Sequence, residues 1–368
     1  MNFTFHKDES ILYDLFMFPK LALITEEEIA KVNEPLHGNN PFDTLDDPDH
    51  VDFVEKAKED LEPFHDPLLG FYADEMTSSY DFPYLLFKAY SIKGYTSHNE
   101  YLSHILNDSE INVKKRLLNA ILSTEEDESL VISKERIDEL LNNKDELLKL
   151  FRAIPTTENY KWILLMLIEN PIKYLELYQN LINSIKPYFD DYVKRHDQEI
   201  SHFDSDIIHT LNEKKEEGFH QLTQGLVPSD VLDEENSIFT SFVHPYTFAK
   251  TSLGNEKILL IGLRMKKGFQ KVAEFQESLR KNRTKVFKTL SDNTRYEVLR
   301  LIASGVTSTK KIAENVGVSS ATITYHINAF LTTKVIKIPK SKSIKYVVDF
   351  EMLETYWQDF INDLKNNK

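Results

Sequence analysis

The sequence predicts a mainly α protein, with a large helical amino-terminal domain that carries a small β element and a compact C-terminal α+β module. Three observations predict it. Helical spacing of apolar residues fills most of the amino-terminal region, and the whole chain of 368 residues has only 10 glycines. Between Ser237 and Leu263 the pattern changes to aromatic and aliphatic runs of strand length. After Leu290, three short helical periods are followed by two β-branched runs.

In chain order, Asn2 to Phe5 is a short strand candidate. Asp49 to Leu61, Pro83 to Tyr90, Asn112 to Leu122, Ser133 to Phe151 and Glu158 to Glu169 read as helices, divided by segments such as Gly38-Asn39-Asn40-Pro41 and Asn107-Asp108. Asn170-Pro171 opens another, with proline in the first turn, where its missing N–H costs nothing. Tyr174, Tyr178, Leu181, Ile185, Tyr188 and Tyr192 follow as an aromatic stripe expected to pack in a helical core, and Pro187 is expected to kink it. Strands are expected over Ser237 to Phe248 and Lys257 to Leu263, on either side of the turn Ser252-Leu253-Gly254-Asn255, in a sheet with Asn2 to Phe5. Lys266 to Leu290 resumes a helical pattern. The expected organisation is residues 1–265 as a mostly helical sensing or interaction domain, 266–289 as a connecting helix able to transmit a movement, 290–348 as the compact module, and 349–368 as a dimerisation helix.

Within the module, Ser291-Asp292-Asn293-Thr294 caps a helix with Val298, Leu299 and Ile302 on one face, and Gly305 stops it. A second helix starts at Thr307 or Ser308, carries Ile312, Ala313 and Val316 inward, and ends at Gly317. Ser319 and Ser320 open a third, in which Ile323, Ile327 and Phe330 stand at i, i+4 and i+7. That spacing turns Ser320, Ala321, Thr322, Thr324, Tyr325 and Asn328 outward. Val335 to Pro339 and Ile344 to Val348 then flank Lys340-Ser341-Lys342-Ser343, a hairpin with a basic tip. The order is that of a winged helix-turn-helix, with Ser320, Ala321, Thr322, Thr324, Tyr325 and Asn328 as candidate base readers and Lys340 and Lys342 as candidate phosphate contacts on the wing.

LSDNTRYEVLRLIASG, TKKIAENVGVS and SATITYHINAFL followed by a basic hairpin resemble the ArsR family of bacterial winged-helix transcription regulators over about sixty residues in register. The resemblance implies DNA reading by Ser320, Ala321, Thr324 and Tyr325, wing contacts by Lys340 and Lys342, and a homodimer paired through flanking helices; His326 stands where a histidine is common in the family and is expected to buttress the third helix. Leu353, Trp357, Phe360, Ile361 and Leu364 are the seam candidates. Tyr325 stands where a basic or polar residue is frequent in the family, so no operator preference carries over.

Charge agrees with a DNA-binding head. Between Arg283 and Val347 twelve Lys and Arg oppose Asp292, Glu297 and Glu314, a balance of +9; the residues from Val348 on carry −3, which leaves −21 of the chain's −15 on residues 1–282. A basic module on an acidic body draws phosphate to one place and repels it elsewhere.

Several classes fall away. Cysteine is absent, so thiolate sensing of metals or arsenite and disulfide sensing are excluded, and Asp349 to Lys368 has no histidine for a metal site on that helix. Glu199, His202, Asp206 and His209 at i, i+3, i+7 and i+10 are zinc-binding types, but Ser201, Phe203, Asp204 and Ser205 make a poor helix interior, and a solvated face is expected, with no metal. No phosphate-cradling glycine motif or nucleophile elbow occurs, and Asp190-Asp191 and Glu126-Asp127 read as solvated charge; no cofactor and no catalytic residue is expected. Met1 to Ser10 lacks a secretory apolar core, and runs such as Trp162 to Ile168 and Ile258 to Leu263 fall short of the ~20 residues of a spanning helix, which predicts a cytoplasmic protein. The expectation is a double-stranded DNA-binding transcription regulator, a repressor, answering a small-molecule, peptide or protein effector through residues 1–265. A partner-controlled interaction module, or an enzyme domain fused to a DNA-binding head, stays open as the alternative.

Overall fold

The computed structural model describes residues 1–25, 47–73, 80–123, 133–339 and 345–366. The chain is largely helical with two small β-sheets, and it forms two compact units, Met1–Val272 and Ala273–Lys368.

The first unit begins with β1 (Asn2–Phe5) and α1 (Lys7–Met17) and a 3-10 turn, Phe18–Leu23. Then come α2 (Pro48–Leu61), α3 (Phe82–Ala89), α4 (His98–Leu106), α5 (Glu110–Leu122), α6 (Lys134–Asn142), α7 (Lys144–Ala153), α8 (Glu158–Glu169), α9 (Pro171–Phe203) and α10 (His209–Thr223). Side-chain oxygens of Asp47, Ser109, Ser133, Asn143 and Thr157 accept from backbone N–H groups three residues on, which starts five of these helices where the sequence offers capping residues. Strands β2 (Glu235–Ser241), β3 (Phe248–Leu253) and β4 (Glu256–Gly262) complete a sheet of order β1-β2-β4-β3. β1 and β4 run parallel to β2, while β3 pairs antiparallel with β4.

α1 is pinned to that sheet by polar side chains in its buried face. Ser10 Oγ accepts from Thr240 N at 3.0 Å, and the Asp14 carboxylate accepts from Ser241 Oγ and from Phe242 N at 2.8 Å. Burial pushes the Asp14 carboxyl up to about 7, against the hydrogen bonds from Ser241, Phe242 and Val243 that pull it down. Tyr178 of α9 is fully buried against α1, its ring stacked on Phe16 at 5.9 Å, with its hydroxyl 2.9 Å from that of Tyr72, which donates to Phe16 O.

Three expectations need correction. The buried stripe of α9 is Leu175, Tyr178, Ile182, Ile185, Phe189 and Tyr192, whereas Tyr188 is 40% exposed and Tyr174 and Leu181 only flank the core. Alternating steps of three and four hold one face of a long helix, and the stripe read from the sequence drifted off it. The helix expected over Ser133 to Phe151 is two, because Asn143 takes extended backbone and caps the second. The strand expected over Ser237 to Phe248 ends at Ser241: His244 N donates to Ser241 Oγ in a turn, Pro245 follows, and a separate β3 forms the hairpin with β4.

α11 (Met265–Leu290) crosses the division between the units. The second unit continues with α12 (Asn293–Ala303), α13 (Thr309–Val316), α14 (Ser320–Thr332), a two-stranded antiparallel hairpin of β5 (Ile336–Lys337) and β6 (Val347–Val348), and α15 (Phe350–Asn366). Val286, Val298, Ile302, Ile312, Ala313, Ile323, Ile327, Phe330, Val335 and Ile336 form its separate core. Among the described residues no helix is long and apolar enough to cross a membrane.

Candidate nucleic-acid interface

The arrangement around α14 follows from local chemistry. Asp292, Ser308 and Ser319 cap α12, α13 and α14 by accepting from Arg295 N, Lys311 N and Thr322 N. Gly305 and Gly317 take positive φ, +90° and +76°, where a Cβ would be strained, so α12 and α13 stop there. The 13 residues of α14 are anchored by Ile323, Ile327 and Phe330, each no more than 2% exposed.

Anchoring that face leaves Ser320, Ala321, Thr324, Tyr325 and Asn328 exposed, and Thr322 half-buried. Tyr325 is 63% exposed, a large ring that the unit's own packing does not require there. Two hydroxyls are partly used within the helix: Thr322 Oγ1 lies 2.8 Å from Ser319 Oγ, and Thr324 Oγ1 donates to Ser320 O at 3.0 Å. Lys340 and Lys342 lie outside the described residues. The described bases of the hairpin are held by Lys337 Nζ against Asp349 Oδ2 at 3.0 Å and by Asp349 N donating to Val335 O.

The sequence reading missed Arg295. This α12 residue donates from Nε to His326 Nδ1 at 3.2 Å, and its guanidinium carbon lies 5.8 Å from the Tyr325 ring centroid. Accepting at Nδ1 fixes His326 as the neutral tautomer with its proton on Nε2. Burial and then the Arg295 charge lower the His326 pKa accordingly. His326, 7% exposed, thus ties the outward helix to α12, and Arg295 sets a cation beside Tyr325. Only the helical phase of Tyr325 and His326 was available as a sequence signal, since Arg295 lies 31 positions away.

Lys310 and Lys311 are a second cationic feature. Both are exposed, and the first turn of α13 that carries them holds no acidic residue. Cations at that end oppose the helix dipole, by roughly 0.3–1 kcal/mol each, unless an anion approaches.

The zinc-type face resolves into ion pairs. Glu199 accepts from Arg264 Nε at 2.9 Å, Asp206 pairs with Lys266, and a π-helical turn at Asp204–Ile208 breaks the continuous spacing. No group of three or more potential metal ligands occurs among the described residues. Arg264 also donates to Asp47, which takes a further hydrogen bond from Tyr246; burial raises the Asp47 carboxyl, but these partners outweigh it and hold the carboxyl below its usual range. No protein-family model, curated protein or solved structure matches this chain.

Proposed function

We propose that the protein is a sequence-specific double-stranded DNA-binding transcription regulator of the ArsR type, a repressor, whose second unit is a winged helix-turn-helix. α14 is its recognition helix, with Ser320, Ala321, Thr322, Thr324, Tyr325 and Asn328 toward base edges and Arg295, Lys310, Lys311, Lys340 and Lys342 toward phosphates. The observation that carries this reading is the outward face of α14: three buried apolar anchors leave Ser320, Ala321, Thr324, Asn328 and a 63%-exposed Tyr325 facing outward. A local balance of +9 beside a body of −21 supports it.

The reading includes a homodimer. On α15, Leu353 turns into the unit's own core and Phe360 packs 4.8 Å from Phe287, while Phe350, Trp357 and Leu364 stay 64%, 54% and 56% exposed. Their spacing of seven makes a stripe that drifts only about 20° per step, suited to pairing with the same helix of a second copy. Two such heads about 34–36 Å apart read consecutive major grooves of a near-palindromic site. The amino-terminal unit receives the signal, without thiolate chemistry and without catalysis. Competition binding separates this reading from mere polyanion affinity: a specific site resists excess unrelated DNA, whereas equal displacement by any duplex removes the assignment of base readers.

A further inference from the structure

The amino-terminal unit carries two adjoining surface hollows, of about 620 and 370 Å³, that share Ser91 and Arg116. The larger is of the size that small organic ligands occupy. Its wall is aromatic: Tyr95 and His104 lie 5.8 Å apart between ring centroids, and Tyr90 meets His104 edge-on at 6.3 Å. Arg116 lies against the Tyr90 ring, 4.8 Å from its centroid, and donates from Nη1 to Ala89 O at 3.3 Å.

Among the described residues, Asp108 is the acid that approaches that guanidinium, and not closely. Asp108 accepts from Asn112 Nδ2 at 2.9 Å, from Tyr90 OH at 2.9 Å and from Ser109 N at 2.7 Å, while its approach to Arg116 Nε is 3.9 Å. Asp108 therefore holds Tyr90 and the start of α5 in place, and the Arg116 side chain stays 56% exposed. On the rim Lys93 pairs with Glu256 at 2.8 Å. A planar guanidinium fixed by a ring recognises a carboxylate by two parallel hydrogen bonds, and flanking rings accept a flat apolar body.

We infer that this groove binds a small aromatic carboxylate, with its ring against Tyr95 and His104 and its carboxylate on Arg116. This ligand is the effector of the proposed regulator, and that consequence rests on the DNA-binding reading; the binding itself does not. Ligand-observed NMR on the full-length protein without DNA tests the site, with benzoate titrated to ~10 mM and benzamide as the uncharged analogue. Saturable benzoate binding is expected, about tenfold or more weaker for benzamide and for Arg116→Gln, and weakened by Tyr95→Ala, with melting temperatures preserved. No saturation by benzoate, equal binding of benzamide, or full affinity in Arg116→Gln overturns the site. DNA binding is then read separately by anisotropy with and without benzoate. Benzoate binding that leaves an otherwise specific DNA complex untouched overturns the effector role, and absence of any specific DNA complex overturns the regulator reading.

Discussion

Replacing Tyr325 by alanine separates a side chain that reads DNA from one that supports the fold. Tyr325 is 63% exposed, and its contacts are the Arg295 guanidinium at 5.8 Å and the His326 ring at 5.7 Å. An exposed cation–π pair contributes about 0.5–1 kcal/mol, and the higher helix propensity of alanine returns several tenths of a kcal/mol of that. The stability of the second unit should therefore change by less than about 1 kcal/mol. If the ring enters the major groove, affinity for the specific site falls by about 1–3 kcal/mol, or roughly 5- to 150-fold, with a smaller loss on unrelated duplex. Phe330→Ala is the structural contrast, because its ring is 0% exposed and truncation costs about 3–5 kcal/mol of stability. Thermal melts and fluorescence anisotropy on both variants give the comparison. Wild-type affinity and preference in Tyr325→Ala, or a melting loss as large as its binding loss, refutes the placement of α14 in the groove.

Salt titration of Lys310→Ala and Lys311→Ala should lower the slope of log affinity against log salt by about 0.9 each while leaving sequence preference intact; an altered preference would assign them to base edges. Gly317→Ala should destabilise the second unit by about 1–2 kcal/mol in denaturant melts, because φ is +76° there although the space around it is open. Leu364→Lys together with Trp357→Lys should convert a dimer to a monomer by sedimentation with little change in melting temperature, since both side chains are exposed; an unchanged dimer removes α15 from the seam. Asp14 has a folded pKa of about 7 against an ordinary 3.8, so its stabilising contribution is full below about 4 and is lost as pH rises through 7. His50 and His244, both lowered to about 4 by burial, act in the opposite sense, their contribution present above 6.5 and lost as pH falls. The difference between wild type and Asp14→Asn in melts across pH isolates the carboxyl, and a flat difference refutes its burial as the cause.

What the sequence made legible was what is local. Asp292, Ser308, Ser319, Gly305 and Gly317 act within one turn of their own position, so the starts of α12 to α14 and the stops of α12 and α13 emerged at the expected residues. The anchors Ile323, Ile327 and Phe330 emerged for the same reason, and with them the exposed side of the candidate interface. Long helices lost phase: over α9 a choice between Tyr188 and Phe189 is a difference of one residue, settled only by the surrounding core. Asn143 could equally continue a helix or cap a new one, and Ser241 to Pro245 could extend a strand or end it. Parallel pairing of Asn2 with Glu235 and the Arg295–His326 bond join residues far apart in the chain, and no periodicity encodes them.

Site-specific DNA binding is read by fluorescence anisotropy of the full-length protein on DNA from upstream of its own coding sequence, with unrelated duplex as competitor and salt varied. Saturable binding that survives excess competitor, with a steep salt dependence, is the expected result. Binding that is weak and displaced equally by any duplex would contradict it.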